Sequence, residues 1–310
     1  MIDFAIPLLL IIIGLIFIFK AAEQSIENAV ELARTLGISE LTIGFILVST
    51  ATSLPEFFVS ITAALKGSSD ISVGNVFGAN ISNILFVLGV AAVLGATTIK
   101  RKDLKELVLI MLATSAISLL FVIYNPGRIS GIILLAIFAF YVRWMLQKDS
   151  LNRKPLPSRK GKLFEPLAKF ALFISIVILG SQLVVENAIK LSSLLGITQT
   201  VIGATLVSLG TTLPELSVSI SAVRRHAEKM AIGNAVGSSI VNLTLVFGAS
   251  IAINPQITFA PAIKLIVFSV LANLLLLYFV IVKGKLTKQN GWVLIGAYAL
   301  FLIVFATGNI

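Results

Sequence analysis

Hydrophobic and polar positions along this chain fall into long blocks. Ten apolar runs stand out, at 4–20, 41–65, 71–95, 106–124, 130–147, 167–185, 199–222, 230–253, 262–282 and 291–308. Runs of about 20 residues match the hydrocarbon thickness of a bilayer, so each predicts a membrane-spanning helix. A transmembrane β-barrel would need short alternating segments, and these runs are long and continuous. The opening run, MIDFAIPLLLIIIGLIF, includes Asp3, lacks a basic n-region and shows no small-residue cleavage site before Lys20. It predicts a retained first helix rather than a secretory signal. The stretch 147–166, QKDSLNRKPLPSRKGKLFEP, reads as a linker, being polar, proline-bearing and mid-chain.

Charge then orients the runs. The 310 residues are 57% hydrophobic and 12% charged, against about 25% charged in soluble domains. The net charge is +10, and the basic residues gather between alternate pairs of runs. Lys100, Arg101, Lys102 and Lys105 lie between runs three and four, and Arg153, Lys154, Arg159, Lys160 and Lys162 between five and six. Arg224, Arg225 and Lys229 follow run seven, and Lys283, Lys285 and Lys288 follow run nine. The intervening connections carry few, among them Lys66, Arg128 and Lys264. Such an asymmetry orients membrane helices and predicts ten spans in the cell membrane, with both termini outside and a cytoplasmic linker. It accounts for the basic balance without nucleic acid or phosphoinositide.

The linker divides two related halves. TSLPE at 52–56 returns as TTLPE at 211–215, an offset of 159 (215 against 56). The same offset maps Glu27-Asn28 onto Glu186-Asn187, LGIS at 36–39 onto LGIT at 195–198, Gly74-Asn75 onto Gly233-Asn234, and Asn83 onto Asn242. The register holds from 27 to 89 without a gap, which marks an internal duplication. Five spans per half is an odd number, so the second half enters the membrane with opposite polarity. The expected fold is an all-α integral membrane protein of ten transmembrane helices in two inverted five-helix repeats. The first repeat covers 1–146 with its motifs at 44–83, the linker 147–166, and the second repeat 167–310 with its motifs at 203–242.

The repeated motif carries the candidate chemistry. On a helix over 41–65, Ser49, Thr52, Ser53, Glu56 and Ser60 lie on or near one face. Pro55 has no amide proton and clashes with the preceding turn, so carbonyls near Ala51 and Thr52 lose their internal partners. In lipid this is tolerated only where something else satisfies them. Carbonyls, hydroxyls and a carboxylate in a dry interior suit a hard cation; Ca²⁺ takes about six to eight oxygens, and Na⁺ resembles it in size and hardness. Run seven repeats the set with Ser208, Thr211, Thr212, Glu215 and Ser219. One intramembrane carboxylate costs at least about 2.5 kcal/mol. Two of them about 5 Å apart repel by about 3 kcal/mol at an effective dielectric of about 20, and a divalent cation between them reverses the sign. Without a cation, a proton is expected on one or both.

Runs three and eight hold GNVFGANISN and GNAVGSSIVN. Gly74/Gly78 and Gly233/Gly237 have the spacing that lets helix backbones approach closely. Asn83 and Asn242 are read as site residues, and Asn75 and Asn234 as groups that hydrogen-bond neighbouring helices. Glu27 and Glu186 are read as helix-end residues at the interface.

These four blocks resemble the paired repeats of the calcium/cation antiporter superfamily, and most of all its prokaryotic sodium/calcium exchangers, over nearly the whole chain. The resemblance implies Ca²⁺ between Glu56 and Glu215, sodium sites around it, several Na⁺ exchanged for one Ca²⁺, and sliding of helices one and six against a rigid core. By position, Thr52 and Thr211 match ligands that offer backbone carbonyls. Ser53, Thr212 and Ser238 match hydroxyls of the flanking sodium sites, Ser49 and Ser208 match carbonyls lining those sites, and Asn83 matches an amide of the third helix. Two positions depart from the pattern. Ala79 stands where relatives often carry a hydroxyl, as Ser238 does in the other half. Asn242 stands where some relatives have the aspartate associated with potassium dependence, which argues against obligatory K⁺ co-transport. The GNxxE block usual in proton-coupled relatives is missing.

The expected function is therefore a secondary antiporter exchanging Na⁺ for Ca²⁺ by alternating access, with H⁺- or K⁺-coupled exchange as the alternative. A passive channel fits less well, because two buried acids at one depth hold Ca²⁺ too firmly for fast passage unless several ions occupy it. The chain has no cysteine and one histidine, His226, which excludes thiolate chemistry and multi-histidine metal centres. With no HExxH or nucleophile-elbow motif either, an enzyme is not expected. No prosthetic group, nucleic acid or obligatory protein partner is expected; the partners are Ca²⁺, Na⁺ and the lipid bilayer.

Overall fold

The computed structural model describes residues 2–35, 48–95, 101–124, 127–150, 164–224, 228–256, 259–280 and 286–306, and the regular elements among them are all helical. Much of the linker, the start of run two, His226 and most of the basic loop residues lie outside this set. The first half comprises α1 (Ile2–Thr35), α2 (Ser49–Thr52), α3 (Leu54–Leu65), α4 (Ser69–Ile81), α5 (Leu88–Leu94), α6 (Arg101–Tyr124) and α7 (Arg128–Ser150). The second comprises α8 (Phe164–Leu195), α9 (Gln199–Ile202), α10 (Ser208–Thr211), α11 (Leu213–Arg224), α12 (Glu228–Val241), α13 (Phe247–Ile253), α14 (Phe259–Tyr278) and α15 (Lys288–Ala306). Both α10 and α11 start 159 residues after their counterparts (208 against 49, 213 against 54), so the duplication reaches the helix boundaries.

Six helices among the described residues are long and apolar enough to cross a membrane: Phe4–Gln24, Ser69–Leu94, Phe164–Leu195, Gln199–Arg224, Met230–Ile253 and Lys288–Phe305. Leu54–Leu65, Leu109–Leu120 and Ala262–Tyr278 are shorter apolar helices. Helix α1 outruns its apolar run, extending through Lys20 and Glu23 to Thr35. Hydropathy ends where lipid would end, but the backbone ladder continues wherever polar side chains reach water.

Burial separates centre from periphery. The spans Ser69–Leu94 and Met230–Ile253 are 83% and 78% buried, whereas Phe4–Gln24 and Phe164–Leu195 are 33% and 28% buried. Helices α1 and α8 pair along their length, with Ile6, Leu9, Leu172 and Leu179 exposed on the outside. Lipid offers no hydrophobic drive between helices, so their association depends on close packing. Glycines supply it at crossings between the halves. A Cβ on Gly74 would overlap the Thr200 carbonyl oxygen, and one on Gly203 would lie 2.6 Å from that of Ile71. Gly89 meets Gly291, and Gly131 meets Gly248, in the same way. At one surface Lys66 Nζ bonds Glu186 Oε1 at 2.7 Å, tying the end of α3 to α8.

Candidate cation-binding site

The LPE motif does not merely kink a helix; it starts a new one inside the bundle. Helix α2 stops at Thr52, Ser53 takes φ −82° and ψ 5°, and α3 begins at Leu54 with Pro55 in its first turn. There the missing amide is no loss, because first-turn amides have no intrahelical acceptor. Glu56 consequently sits at the positive end of α3, and Glu215 at that of α11. Both acids are fully buried, and none of their four carboxylate oxygens has a hydrogen-bond partner. A helix end offsets about 0.3–1 kcal/mol, up to about 2 in buried settings, less than the burial of one carboxylate costs. The remainder needs a cation or a proton.

The hydroxyls around the acids are wired across the halves. Thr52 Oγ1 donates to the Ser49 carbonyl at 3.2 Å, and lies 3.2 Å from Asn234 Oδ1 and 3.0 Å from Ser238 Oγ. Thr211 Oγ1 reaches the Ser208 carbonyl at 3.2 Å and Asn75 Oδ1 at 3.1 Å. Thr52, Ser53 and Ser238 face Glu215, and Thr211 faces Glu56, which also feels the charge of Glu215. Each acid is thus attended by a threonine from the opposite half. The sequence pairs Glu56 with Thr52 along one helix and gives no sign of this exchange.

Of the other candidates, Ser49 and Ser208 present carbonyls that already accept these hydroxyls, and Thr212 Oγ1 donates to the Ser208 carbonyl. Asn83 and Asn242 are fully buried with both amide atoms unpartnered, and the structure bonds neither to another candidate. Both lie in π-helical turns, Ser82–Val87 and Asn242–Val246, and a third such turn, Gly203–Val207, precedes Ser208. Turns of this kind collect at functional sites and have no sequence signature. A cluster of acids and histidines is not the pattern here: among the described residues no three His, Cys, Asp or Glu side chains converge. The donor set is two carboxylates with hydroxyl, amide and carbonyl oxygens, which suits hard cations.

Asn75 and Asn234 hold the acids in place. Asn75 Nδ2 donates to the Glu56 carbonyl at 3.2 Å and Ser60 Oγ at 3.0 Å; Asn234 Nδ2 donates to the Glu215 carbonyl at 3.2 Å and Ser219 Oγ at 3.3 Å. Removing Asn234 strips partners from the Glu215 carbonyl, Ser219 and Thr52 at once. Leaving a buried polar group unpaired costs about 1–3 kcal/mol. Asn234→Ala is therefore expected to lower the thermal midpoint and weaken Ca²⁺ binding together, as read by thermal shift with and without Ca²⁺.

Comparison with known proteins bears on this geometry. The family model for sodium/calcium exchanger protein matches the chain twice, over residues 6–147 and 166–307. The chain belongs to the sodium/calcium exchanger family. Among relatives of this family, inner membrane protein YrbG of Escherichia coli is 34% identical over 79% of this chain and 79% of its own. The sodium/calcium exchanger MaX1 of Methanosarcina acetivorans is 29% identical over 96% of this chain and 97% of its own. The solved structure of the sodium-calcium exchanger NCX_Mj soaked with Na⁺ and Sr²⁺ superposes with a TM-score of 0.67 at 27% identity, covering 96% of this chain and 98% of that one. The chain is thus a membrane protein of an ion-exchanger family, and Na⁺ and Ca²⁺ are the ions named for that family.

Proposed function

We propose that this exchanger family member is a secondary active antiporter that moves Ca²⁺ against Na⁺ by alternating access. The observation that carries the reading is the pair of buried, unpartnered carboxylates, Glu56 and Glu215, delivered by duplicated motifs. In this reading the ten apolar runs are ten spans, 1–146 and 167–310 are inverted repeats, and both termini lie outside. Thr52, Thr211, Ser53, Thr212, Ser49, Ser208, Asn83, Asn242 and Ser238 complete the oxygen shell at mid-bilayer. Asn242 supplies no third charge, so one Ca²⁺ balances the two acids. Helices α1 and α8, packed on each other and only 33% and 28% buried over their spans, are the elements that shift against the centre in this reading.

Proteoliposomes loaded with Na⁺ and diluted into Na⁺-free buffer containing Ca²⁺ test this. Ca²⁺ uptake should follow the Na⁺ gradient and stay at background with K⁺ or H⁺ gradients. Uptake that needs no counter-ion on the inside indicates a channel instead. Protons and Ca²⁺ compete for the same carboxylates, so Ca²⁺ binding should weaken steadily as pH falls. Binding that stays flat from alkaline to mildly acidic pH contradicts the assignment of Glu56 and Glu215.

A further inference from the structure

The paired helices α1 and α8 do not approach the two halves equally. Helix α8 lies along α3, whereas the matching approach of α1 to α11 is slight. The close side carries the ion pair between Lys66 Nζ and Glu186 Oε1, at 2.7 Å. Lys66 stands on a fixed post. Helix α3 ends just before it, and the chain turns at Gly67 with φ 72°. Gly67 N and Ser68 N donate back to the Ala64 and Ala63 carbonyls at 3.1 and 2.8 Å, the closure that a left-handed residue allows at a helix end. Asn254, just beyond α13, donates from Nδ2 to the same Ala64 carbonyl at 3.4 Å, and Ser69 Oγ donates to the Asn254 carbonyl at 3.1 Å. The Ser72 and Ser250 hydroxyls bond at 2.6 Å, so α3, α4 and α13 share one anchored end. Glu186, by contrast, rides on α8, whose longest contact is with α1. Lys190 also acts on Glu186, but it belongs to α8 and moves with it as one body. Glu27, the counterpart of Glu186, accepts from Gln24 Nε2 of its own helix at 3.2 Å.

Building on the exchanger reading above, we propose that Lys66 and Glu186 form a latch at the outer end of the bundle. Closed as here, it holds the α1–α8 pair against α3 and bars the outer approach to Glu56 and Glu215. The two side chains are 35% and 51% exposed, and exposed pairs are weak. Weakness suits the task. A cycling protein visits both arrangements, so a firm tie would stop it, while a few-fold bias is enough to set which side the empty site faces. The inward-facing arrangement is then the resting one.

Pulsed EPR between spin labels on Leu65→Cys and Leu194→Cys decides this. Both leucines are exposed, and the chain has no cysteine of its own, so only these positions take a label. Leu65 reports the anchored end and Leu194 the last turn of α8. In reconstituted protein with chelator and no Na⁺, the short distance should predominate. Lys66→Gln should lower the ratio of short to long distances by about 1.4- to 5-fold, the worth of an exposed pair. Glu186→Gln should do the same, and the double variant should lose no more than either single one, because all three remove one interaction. A wild type dominated by the long distance overturns the latch. So do single variants with the wild-type ratio, or a double variant that loses the product of the two single losses. In each of these cases the exchanger reading stands as long as the distances still respond to Na⁺ and Ca²⁺. One fixed distance in chelator, Na⁺ and Ca²⁺ alike overturns the latch and alternating access together.

Discussion

Glu56→Gln and Glu215→Gln should each reduce Ca²⁺ affinity by at least about 100-fold and bring Na⁺-driven Ca²⁺ uptake to background. Glutamine keeps the shape but removes one of the two buried charges. The lost attraction is at least about 3 kcal/mol for a unit charge about 5 Å away at an effective dielectric of about 20, and every 1.4 kcal/mol or so is tenfold in affinity. The folded protein itself should tolerate the change and even gain heat stability without Ca²⁺, because glutamine is neutral without having to take up the proton that a second buried carboxyl needs. Thermal midpoints measured in chelator and in saturating Ca²⁺ separate these effects. The wild type should gain strongly from Ca²⁺ and the variants hardly at all. If either variant transports like wild type, the acids do not form the site.

The second large effect is structural. Gly74→Ala should lower the thermal midpoint by roughly 5–10 °C, and Gly74→Val should leave little folded protein, since overpacking costs about 1–3 kcal/mol or more and each kcal/mol moves a midpoint by a few degrees. The atoms a Cβ would strike are backbone: the Thr200 oxygen, Ala204 N at 2.8 Å and Gly203 Cα at 2.8 Å. Backbone cannot swing aside as a side chain can. Gly296 is the control, because a Cβ there meets nothing within 4 Å; Gly296→Ala should melt like wild type. An undiminished midpoint in Gly74→Ala would show that α4 does not sit this close to the 199–208 segment.

How much of this was legible in the sequence follows from what each feature depends on. The apolar runs and the break at TSLPE are local, set by hydropathy and by Pro55, but the sequence reads as one helix over 41–65 with carbonyls freed by Pro55, whereas the structure ends α2 at Thr52 and starts α3 at Leu54 with Pro55 in its first turn. The offset of 159 carried that break into the second half, where α10 and α11 repeat it. Other features depend on contacts between distant residues. Nothing local says that Thr52 faces Glu215 rather than Glu56, or that Gly89 meets Gly291. The π-turns at Asn83 and Asn242 carry no residue pattern of their own. Asn75 and Asn234 were legible as helix-to-helix bonding groups, but not as the residues that fix the acids' own carbonyls. Ser53 and Thr212 look interchangeable in sequence, yet only Thr212 bonds to backbone.

The most direct measurement is a Ca²⁺-soaked crystal examined by long-wavelength anomalous scattering. One strong peak should lie about 2.3–2.6 Å from carboxylate oxygens of both Glu56 and Glu215. A peak touching one acid alone, or a Ca²⁺ bound elsewhere while both carboxylates stay bare, contradicts the shared site on which the account rests.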